Sequence, residues 1–278
     1  MPGAIVEQAR AKINLALHVL GRRADGYHEL DSAVAFADVG DVLHLEPAEA
    51  TSLTIHGPFA AGLSADAGNL VMKAAAALAQ CAPVGPVRIV LEKNLPVASG
   101  IGGGSADAAA ALRGLMRLND IRLAPDQLVK LALSLGADVP VCLQQGFCRM
   151  TGIGEAITPM VALPARFIVL ANPLAACSTQ AVFAALGLRA GERFAEPLDP
   201  QQPASWRNDL QEPAVRALPV IADVLAALAQ ERELSDIRMS GSGATCFGLA
   251  ASRDVADAAA ARLAAQNPQW WVRAASLS

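Results

Sequence analysis

Between a short β-branched run, Val87 to Leu91, and an alanine-rich stretch, Ala106 to Leu118, lies Pro96-Val97-Ala98-Ser99-Gly100-Ile101-Gly102-Gly103-Gly104-Ser105-Ala106. Glycines let backbone N–H groups turn toward an anion. A helix N-terminus adds partial positive charge worth about 0.3–1 kcal/mol where exposed and about 2 kcal/mol where partly buried. Strand, glycine loop and helix, in that order, make a phosphate cradle. No Lys-Ser/Thr pair follows the glycines, so this is not a Walker loop, and Ser105 three places after Gly102 excludes a dinucleotide fingerprint. A flexible linker would be flanked by polar chain, whereas this segment joins an apolar strand to a helix that Ser105 is expected to cap.

Phosphoryl transfer to a hydroxyl needs a carboxylate near the nucleophile and a cation near the developing charge. Lys12 and Asp138 are the candidates. In residues 11–20, Ile13, Leu15, Leu17 and Val19 alternate with Lys12, Asn14, Ala16 and His18, a period-2 strand that puts Lys12, Asn14 and His18 on one face. Asp138 sits in Gly136-Ala137-Asp138-Val139-Pro140, after a helix that begins at Pro125 and before a proline expected to bar helical continuation. Taken singly, Lys12 reads as a solvated strand face and Asp138 as a helix-stop cap. Tyr27, the only tyrosine, follows the turn signal Asp25-Gly26 and precedes His28. Its ring can stack on a base or simply cover a loop. Ser240-Gly241-Ser242-Gly243 is a second small loop, which alone signals no more than a turn.

The elements that carry these residues form two α+β stretches. Strands near 11–20 and 33–45 make a hairpin-like unit. Gly68-Asn69 opens a helix to about Cys81, with Asn69 near its cap. The pattern restarts around Leu163-Pro164 with a strand at 167–170 and a helix at 179–186. Residues 187–213 read as a long connection. A helix after Pro219, strands at 237–239 and 245–249, a helix from Asp254 and a strand near Trp270 complete the chain, with a domain boundary near residue 160. Of 278 residues, 53% are hydrophobic and 17% charged, enough for a folded core. The net charge of −4 argues against a nucleic-acid partner, and charges cut every apolar run before about 18 residues, so no membrane partner is expected. Glu7, Arg10 and Lys12 interrupt any secretory signal, which points to the cytoplasm. The five cysteines are odd in number, scattered and without a C-x-x-C pair, and are read as reduced core thiols.

Ala11-Lys12-Ile13-Asn14-Leu15, Asp25-Gly26-Tyr27-His28, the glycine loop through Ala109, Gly136-Ala137-Asp138-Val139-Pro140 and Ser240-Gly241-Ser242-Gly243-Ala244 stand in the order found in the 4-diphosphocytidyl-2-C-methyl-D-erythritol kinases. That family belongs to the galactokinase, homoserine kinase, mevalonate kinase and phosphomevalonate kinase superfamily, and the chain resembles it over essentially its whole length. The glycine loop and Ser-Gly-Ser-Gly match the superfamily, while the Lys12 and Tyr27 segments select the family. The resemblance implies an α+β, two-domain small-molecule kinase fold. Its ATP-binding and catalytic domain, over 1–160, would be ribosomal-S5-domain-2-like with a left-handed βαβ unit, an exception to the right-handed rule. A ferredoxin-like domain over 161–278 would complete the substrate cleft. The implied reaction is ATP-dependent phosphorylation of the 2-hydroxyl of 4-diphosphocytidyl-2-C-methyl-D-erythritol, with Mg2+, in the non-mevalonate route to isoprenoid precursors.

Carried over position by position, the resemblance makes Asp138 the group that accepts or orients the hydroxyl proton and Lys12 the cation that holds the hydroxyl. Pro96 to Ala106 becomes the ATP phosphate loop, with Ser105 close to the phosphates or their magnesium and Asn69 on the adenosine side. Asn14, Tyr27 and His28 form a cytidine pocket in which the base stacks on Tyr27 and its edge meets the His28 backbone. Thr179 and Phe183 close over the cytidine. The chain departs from the family's usual pattern at Ala98-Ser99, where a glycine is common, and at Ile101, where leucine is. A superfamily kinase for another alcohol, such as mevalonate or homoserine, and a non-catalytic binding module are the alternatives.

Overall fold

Strands β1 (Ile5–Arg22) and β2 (His28–Pro47) form the expected hairpin, both longer than the alternation suggested. Gly26, at φ 91°, supplies the positive dihedral that the turn needs. Along β1, exposed and buried residues alternate only up to Arg10; from Ala11 to Val19 both faces are buried. Lys12 is therefore not on a solvated face: it is 4% exposed, and Asn14 and His18 are as deeply placed. The computed structural model describes residues 3–161 and 165–278. The expected restart at Leu163-Pro164 lies outside the described residues.

The chain divides into two compact units that interleave in sequence. The first comprises Met1–Ala11, Gly40–Val97 and Gly102–Gln144. In it β3 (Ser52–His56) runs parallel to β4 (Val87–Glu92), which pairs antiparallel with Val42–Pro47 of β2. The parallel step is bridged by α1 (Leu70–Cys81), an alanine-rich helix whose first turn is capped by Asn69, the side-chain Oδ1 accepting the Val71 N–H at 2.9 Å. Helices α2 (Gly103–Leu118), α3 (Pro125–Leu135) and α4 (Val139–Gln144) follow. The small side chains Ala106 and Ala108–Ala111 let α2 be buried on nearly all sides. Pro140 does not stop the chain as expected. It is the second residue of α4, where the missing N–H has no intrahelical partner to lose.

The second unit comprises Lys12–Val39, Ala98–Ile101 and Gln145–Ser278. There Leu30–Val34 of β2 pairs with β5 (Cys148–Gly152), which pairs with β6 (Ala156–Pro159), two short strands absent from the sequence reading. A separate antiparallel sheet has the order β10-β7-β9-β8, built from β7 (Phe167–Asn172), β8 (Leu234–Met239), β9 (Cys246–Ala250) and β10 (Trp271–Ser276). Helices α5 (Thr179–Ala184), α6 (Gln211–Ala217) and α7 (Val220–Gln230) lie between β7 and β8, and α8 (Arg253–Gln266) between β9 and β10. Strand, helices, two strands, helix and strand along the chain, with the sheet in the order β10-β7-β9-β8, is the ferredoxin-like arrangement that the resemblance implied. Val182, Ala214, Ile221, Leu228 and Leu263 bury the helices' apolar faces in one core with Val169, Met239 and Cys246. Four of the five cysteines are buried and all are free, as expected of core thiols, but Cys81 at the end of α1 is exposed.

The connection 187–213 is an irregular strap rather than a loose tether. Residues 191–194 bond to β1 through Arg22 N to Glu192 O (2.8 Å) and Phe194 N to Leu20 O (2.9 Å). Farther on, Leu17 N donates to Arg207 O, and Val19 N donates to the Asp209 carboxylate, both at 2.8 Å. Between these ties His18 Nδ1 donates to Glu196 O at 3.1 Å, while its Nε2 is buried without a partner. Burial holds the His18 pKa below 6.5, against the raising effect of Glu196. Unfolded His18 titrates near 6.5 and folded His18 lower, so the unfolded chain takes up the extra proton and stability falls as pH drops below 6.5. Urea midpoints at pH 7.5 and 5.5 should show a smaller acid loss in His18→Gln than in the parent; equal losses would remove His18 from the acid limb.

Candidate active site

Helix α2 begins two residues before the expected cap. Gly102, in the left-handed region at φ 67° and ψ 20°, holds the cap position with no side-chain bond, and Ser105 lies inside the first turn. A capping side chain would occupy the very N–H groups that an incoming anion needs. This helix start therefore fits a phosphate group: an uncapped terminus opening on Gly103 and Gly104, with the dipole's positive end presented. A Cβ at Gly103 would stand 3.2 Å from Lys93 Nζ, so the ammonium of Lys93 lies directly beneath the first turn. Lys93 is paired with Asp41 and, at 2.8 Å, with Asp107. Burial, and next the Asp41 charge, push the Asp107 carboxyl up against the pull of Lys93. Burial works against the Lys93 charge too, but Asp107 and Asp41 outweigh it and its pKa rises above the ordinary value.

Elsewhere in the first unit, Asp138 is half-buried in the turn ahead of α4, its carbonyl accepting the Cys142 N–H at 3.2 Å as the first acceptor of that helix. Arg113 of α2 grips the other end, donating to Cys142 O at 2.9 Å and to Glu7 at 3.0 Å. Asn69 is committed to its own helix start at both ends of the amide, since Nδ2 also donates to Ser64 O at 2.8 Å.

In the second unit, Ser99 to Ile101 is stitched by its carbonyls. Ser99 O accepts from Thr245 N at 3.1 Å and from Thr245 Oγ1 at 2.7 Å, Gly100 O from Ser240 Oγ at 3.1 Å, and Ile101 O from Lys12 N at 3.0 Å. A Cβ on Gly100 would meet Ser240 O at 2.6 Å and Gly243 N at 2.7 Å, so only glycine fits there. The Ser240–Gly243 loop is thus more than a turn: it is the surface on which this part of the glycine loop is shaped.

The same loop meets β1. Asn14 N donates to Ser240 Oγ at 3.0 Å, and Asn14 Nδ2 to Ser32 Oγ at 2.7 Å. Because the Ser32 hydroxyl donates its own proton to Ala16 O at 2.5 Å, it must accept from Asn14, which fixes the amide with Oδ1 turned the other way. Asn14 Oδ1 is buried and unpartnered. Nearby on β5, burial pushes the Cys148 thiol up to about 11, opposed by the Lys12 charge.

Tyr27 is 62% exposed, held by a bond from its N–H to Asp25 Oδ1 at 3.2 Å. The His28 and Phe183 rings are 4.7 Å apart and inclined by 31°, and Thr179 Oγ1 shares a 2.7 Å hydrogen bond with Ser242 Oγ. His28, Phe183, Thr179 and Ser242 therefore bring β2, α5 and the Ser-Gly loop together. The sequence reading missed Ser32, Ser240 as a partner of Asn14, and the Asp41–Lys93–Asp107 cluster. A hydroxyl in a strand and charges scattered over 66 positions carry no local pattern.

Two family descriptions fit the chain, "GHMP kinases N terminal domain" over residues 69–146 and "GHMP kinases C terminal" over residues 190–269. The 4-diphosphocytidyl-2-C-methyl-D-erythritol kinase of Bradyrhizobium diazoefficiens is 49% identical, covering 99% of this chain and 98% of its own. The chain belongs to the 4-diphosphocytidyl-2-C-methyl-D-erythritol kinase family. A crystal structure of 4-(cytidine 5'-diphospho)-2C-methyl-D-erythritol kinase superposes with TM-score 0.83 at 35% identity over 99% of both chains. A homoserine kinase from Cytophaga hutchinsonii matches with TM-score 0.70 at 16% identity over 99% of this chain and 95% of its own, which shows the fold alone.

The family's usual glycine near Ala98 has a physical reason in the backbone. Ala98 lies at φ 51°, where an L side chain costs about 1–2 kcal/mol. Ala98→Gly should raise the unfolding free energy by about 1 kcal/mol, and Gly102→Ala should lower it by a similar amount while raising KM for ATP. Chemical denaturation and steady-state kinetics read both; an unchanged KM in Gly102→Ala would show that α2's start does not meet ATP.

Proposed function

We propose that the chain transfers the γ-phosphoryl group of ATP to the 2-hydroxyl of 4-diphosphocytidyl-2-C-methyl-D-erythritol, in the methylerythritol phosphate route to isoprenoid precursors. The observation that carries this reading is 49% identity sustained over 99% of the chain, which takes in the glycine loop, the Lys12-Asn14 strand and the Tyr27-His28 turn together. The reaction forms a bond from the substrate's 2-oxygen to phosphorus and breaks the bond from that phosphorus to ADP, and the hydroxyl proton must leave.

Asp138 is the proposed acceptor of that proton, and Lys12 the proposed cation that holds the hydroxyl and offsets the charge developing on it. Lys12 suits the task because its charge sits in a dry strand, where electrostatic effects exceed those at a solvated surface. The α2 start and the stitched Ser99–Ile101 carbonyls support the assignment of Pro96 to Ala106 to the ATP phosphates, with Asn69 on the adenosine side. Mg2+ would travel with those phosphates, and Ser105 is the proposed hydroxyl beside it; bound there, the ion would neutralise phosphate charge. Asn14, Tyr27, His28, Thr179 and Phe183 are assigned to the cytidyl substrate. Among the described residues no helix is long and apolar enough to cross a membrane, and we place the reaction in the cytoplasm, with no nucleic-acid partner.

ADP release should be seen with the purified cytidyl compound and not with mevalonate or homoserine; comparable kcat/KM for either of those would overturn the substrate. Asp138→Asn should lower kcat at least ~10²-fold with ATP binding nearly unchanged, and turnover at the parent rate would remove Asp138 from the chemistry. Tyr27→Ala should weaken cytidyl-substrate binding by about 1–3 kcal/mol, the range for base stacking, and unaltered affinity would sink the stacking role.

A further inference from the structure

Three charged side chains from separate stretches of the first unit are buried together. Asp41 is 0% exposed, Lys93 3% and Asp107 4%. Lys93 Nζ donates to Asp41 Oδ2 and to Asp107 Oδ2. The other oxygen of Asp41 accepts the backbone N–H of Asn94 at 2.5 Å and of Leu95 at 2.8 Å. Asp107 Oδ1 is buried with no partner.

These bonds fall on the two stems of the glycine loop. Lys93 to Leu95 immediately precede Pro96, and Asp107 is the fifth residue of α2. One carboxylate on β2 therefore fixes the backbone of the ascending stem, and the lysine bonded to it fixes the helix into which the loop descends. A buried ion pair is weak evidence for stability, since apolar side chains of similar volume often serve as well. What apolar packing does not supply is direction. Hydrogen bonds to two successive backbone N–H groups and to one helix side chain set both the spacing of the stems and the rotation of α2, and Lys93 Nζ would stand 3.2 Å from a Cβ placed on Gly103 in the first turn.

We propose that Asp41, Lys93 and Asp107 are positioning residues of the phosphate loop, which set the aim of α2's first N–H groups at ATP without touching either substrate. This rests on the reading of Pro96 to Ala106 as the ATP loop. Its signature is a split between substrates: loosening the cluster weakens ATP and leaves the cytidyl substrate alone.

Asp107→Leu keeps the side-chain length, removes the acceptor and leaves Lys93 paired with Asp41. It should raise KM for ATP at least roughly tenfold, the scale of a small misplacement of binding groups, with KM for the cytidyl substrate within about twofold. Asp107→Asn, which keeps an oxygen for Lys93, should bring KM for ATP back to within about threefold of the parent. If Asp107→Leu does not fold, Asp41→Asn must show the same split, because it retains an acceptor for Asn94 and Leu95 but turns an NH2 group toward Lys93. An equal rise in both KM values, or an unchanged KM for ATP in a folded variant, overturns the proposal. Gly102→Ala keeps the two failures apart: no effect on ATP there sinks the loop reading itself, whereas an effect there without one in Asp107→Leu sinks only the positioning role.

Discussion

A loop that binds phosphate through backbone amides has no side chains of its own to keep its shape. Glycine lets the chain approach the ligand and at the same time raises the entropy cost of holding one conformation, so the shape must be imposed by what touches the loop's carbonyls and stems. In the second unit the imposing surface is backbone: Gly100 and Gly241 lie so close that a Cβ on either would stand 2.6 Å from a carbonyl oxygen of the other's segment. In the first unit it is charge, the Asp41–Lys93–Asp107 cluster under the α2 start. Both devices act on acceptors or on stems, and neither caps the first N–H groups of α2.

The same economy of water runs through β1. Lys12, Asn14 and His18 share the strand face that alternation assigned them, but that face is covered, so each needs a partner that sequence spacing does not reveal. Asn14 finds Ser32 and Ser240, and His18 finds a strap carbonyl 178 residues away. The strap has little regular structure of its own; its backbone pairs with that of β1, and its Asp209 carboxylate accepts the Val19 N–H. A connection rich in proline and glutamine is thus ordered by the strand it covers.

Elements with strong local signals were legible: β1 from its period, α1 from Asn69, α3 from Pro125 and Gly136, α8 and the strands around it. The Ser105 cap was misplaced because Ser is the better cap by propensity, while the left-handed Gly102 ends the loop sooner and leaves the N–H groups open. Pro140 misled in the same way, since a helix breaker is also a good second residue for a new helix. Strands β5 and β6 are too short to show a period. For the site, the contiguous segments were legible and their long-range partners were not. Lys93 follows a strand and looks like an ordinary charged end; only the fold makes it the centre of a buried cluster with residues 52 and 14 positions away.

Selectivity among alcohols cannot reside in the fold that a homoserine kinase shares at 16% identity, because a common fold says little about the acceptor. It has to come from polar groups that one substrate satisfies and another leaves stranded, which discriminates far more sharply than the size of an apolar pocket. Asn14 has the required character. Ser32 fixes its amide so that Oδ1 is an acceptor, and that oxygen is buried without a partner beside Gly241. A ligand that brings a donor there completes the group, and one that lacks it leaves a desolvated oxygen unpaired. On the proposed reading Asn14 meets the cytidyl substrate together with Tyr27, His28, Thr179 and Phe183, and its buried, unpartnered oxygen makes that contact depend on the donors the ligand brings.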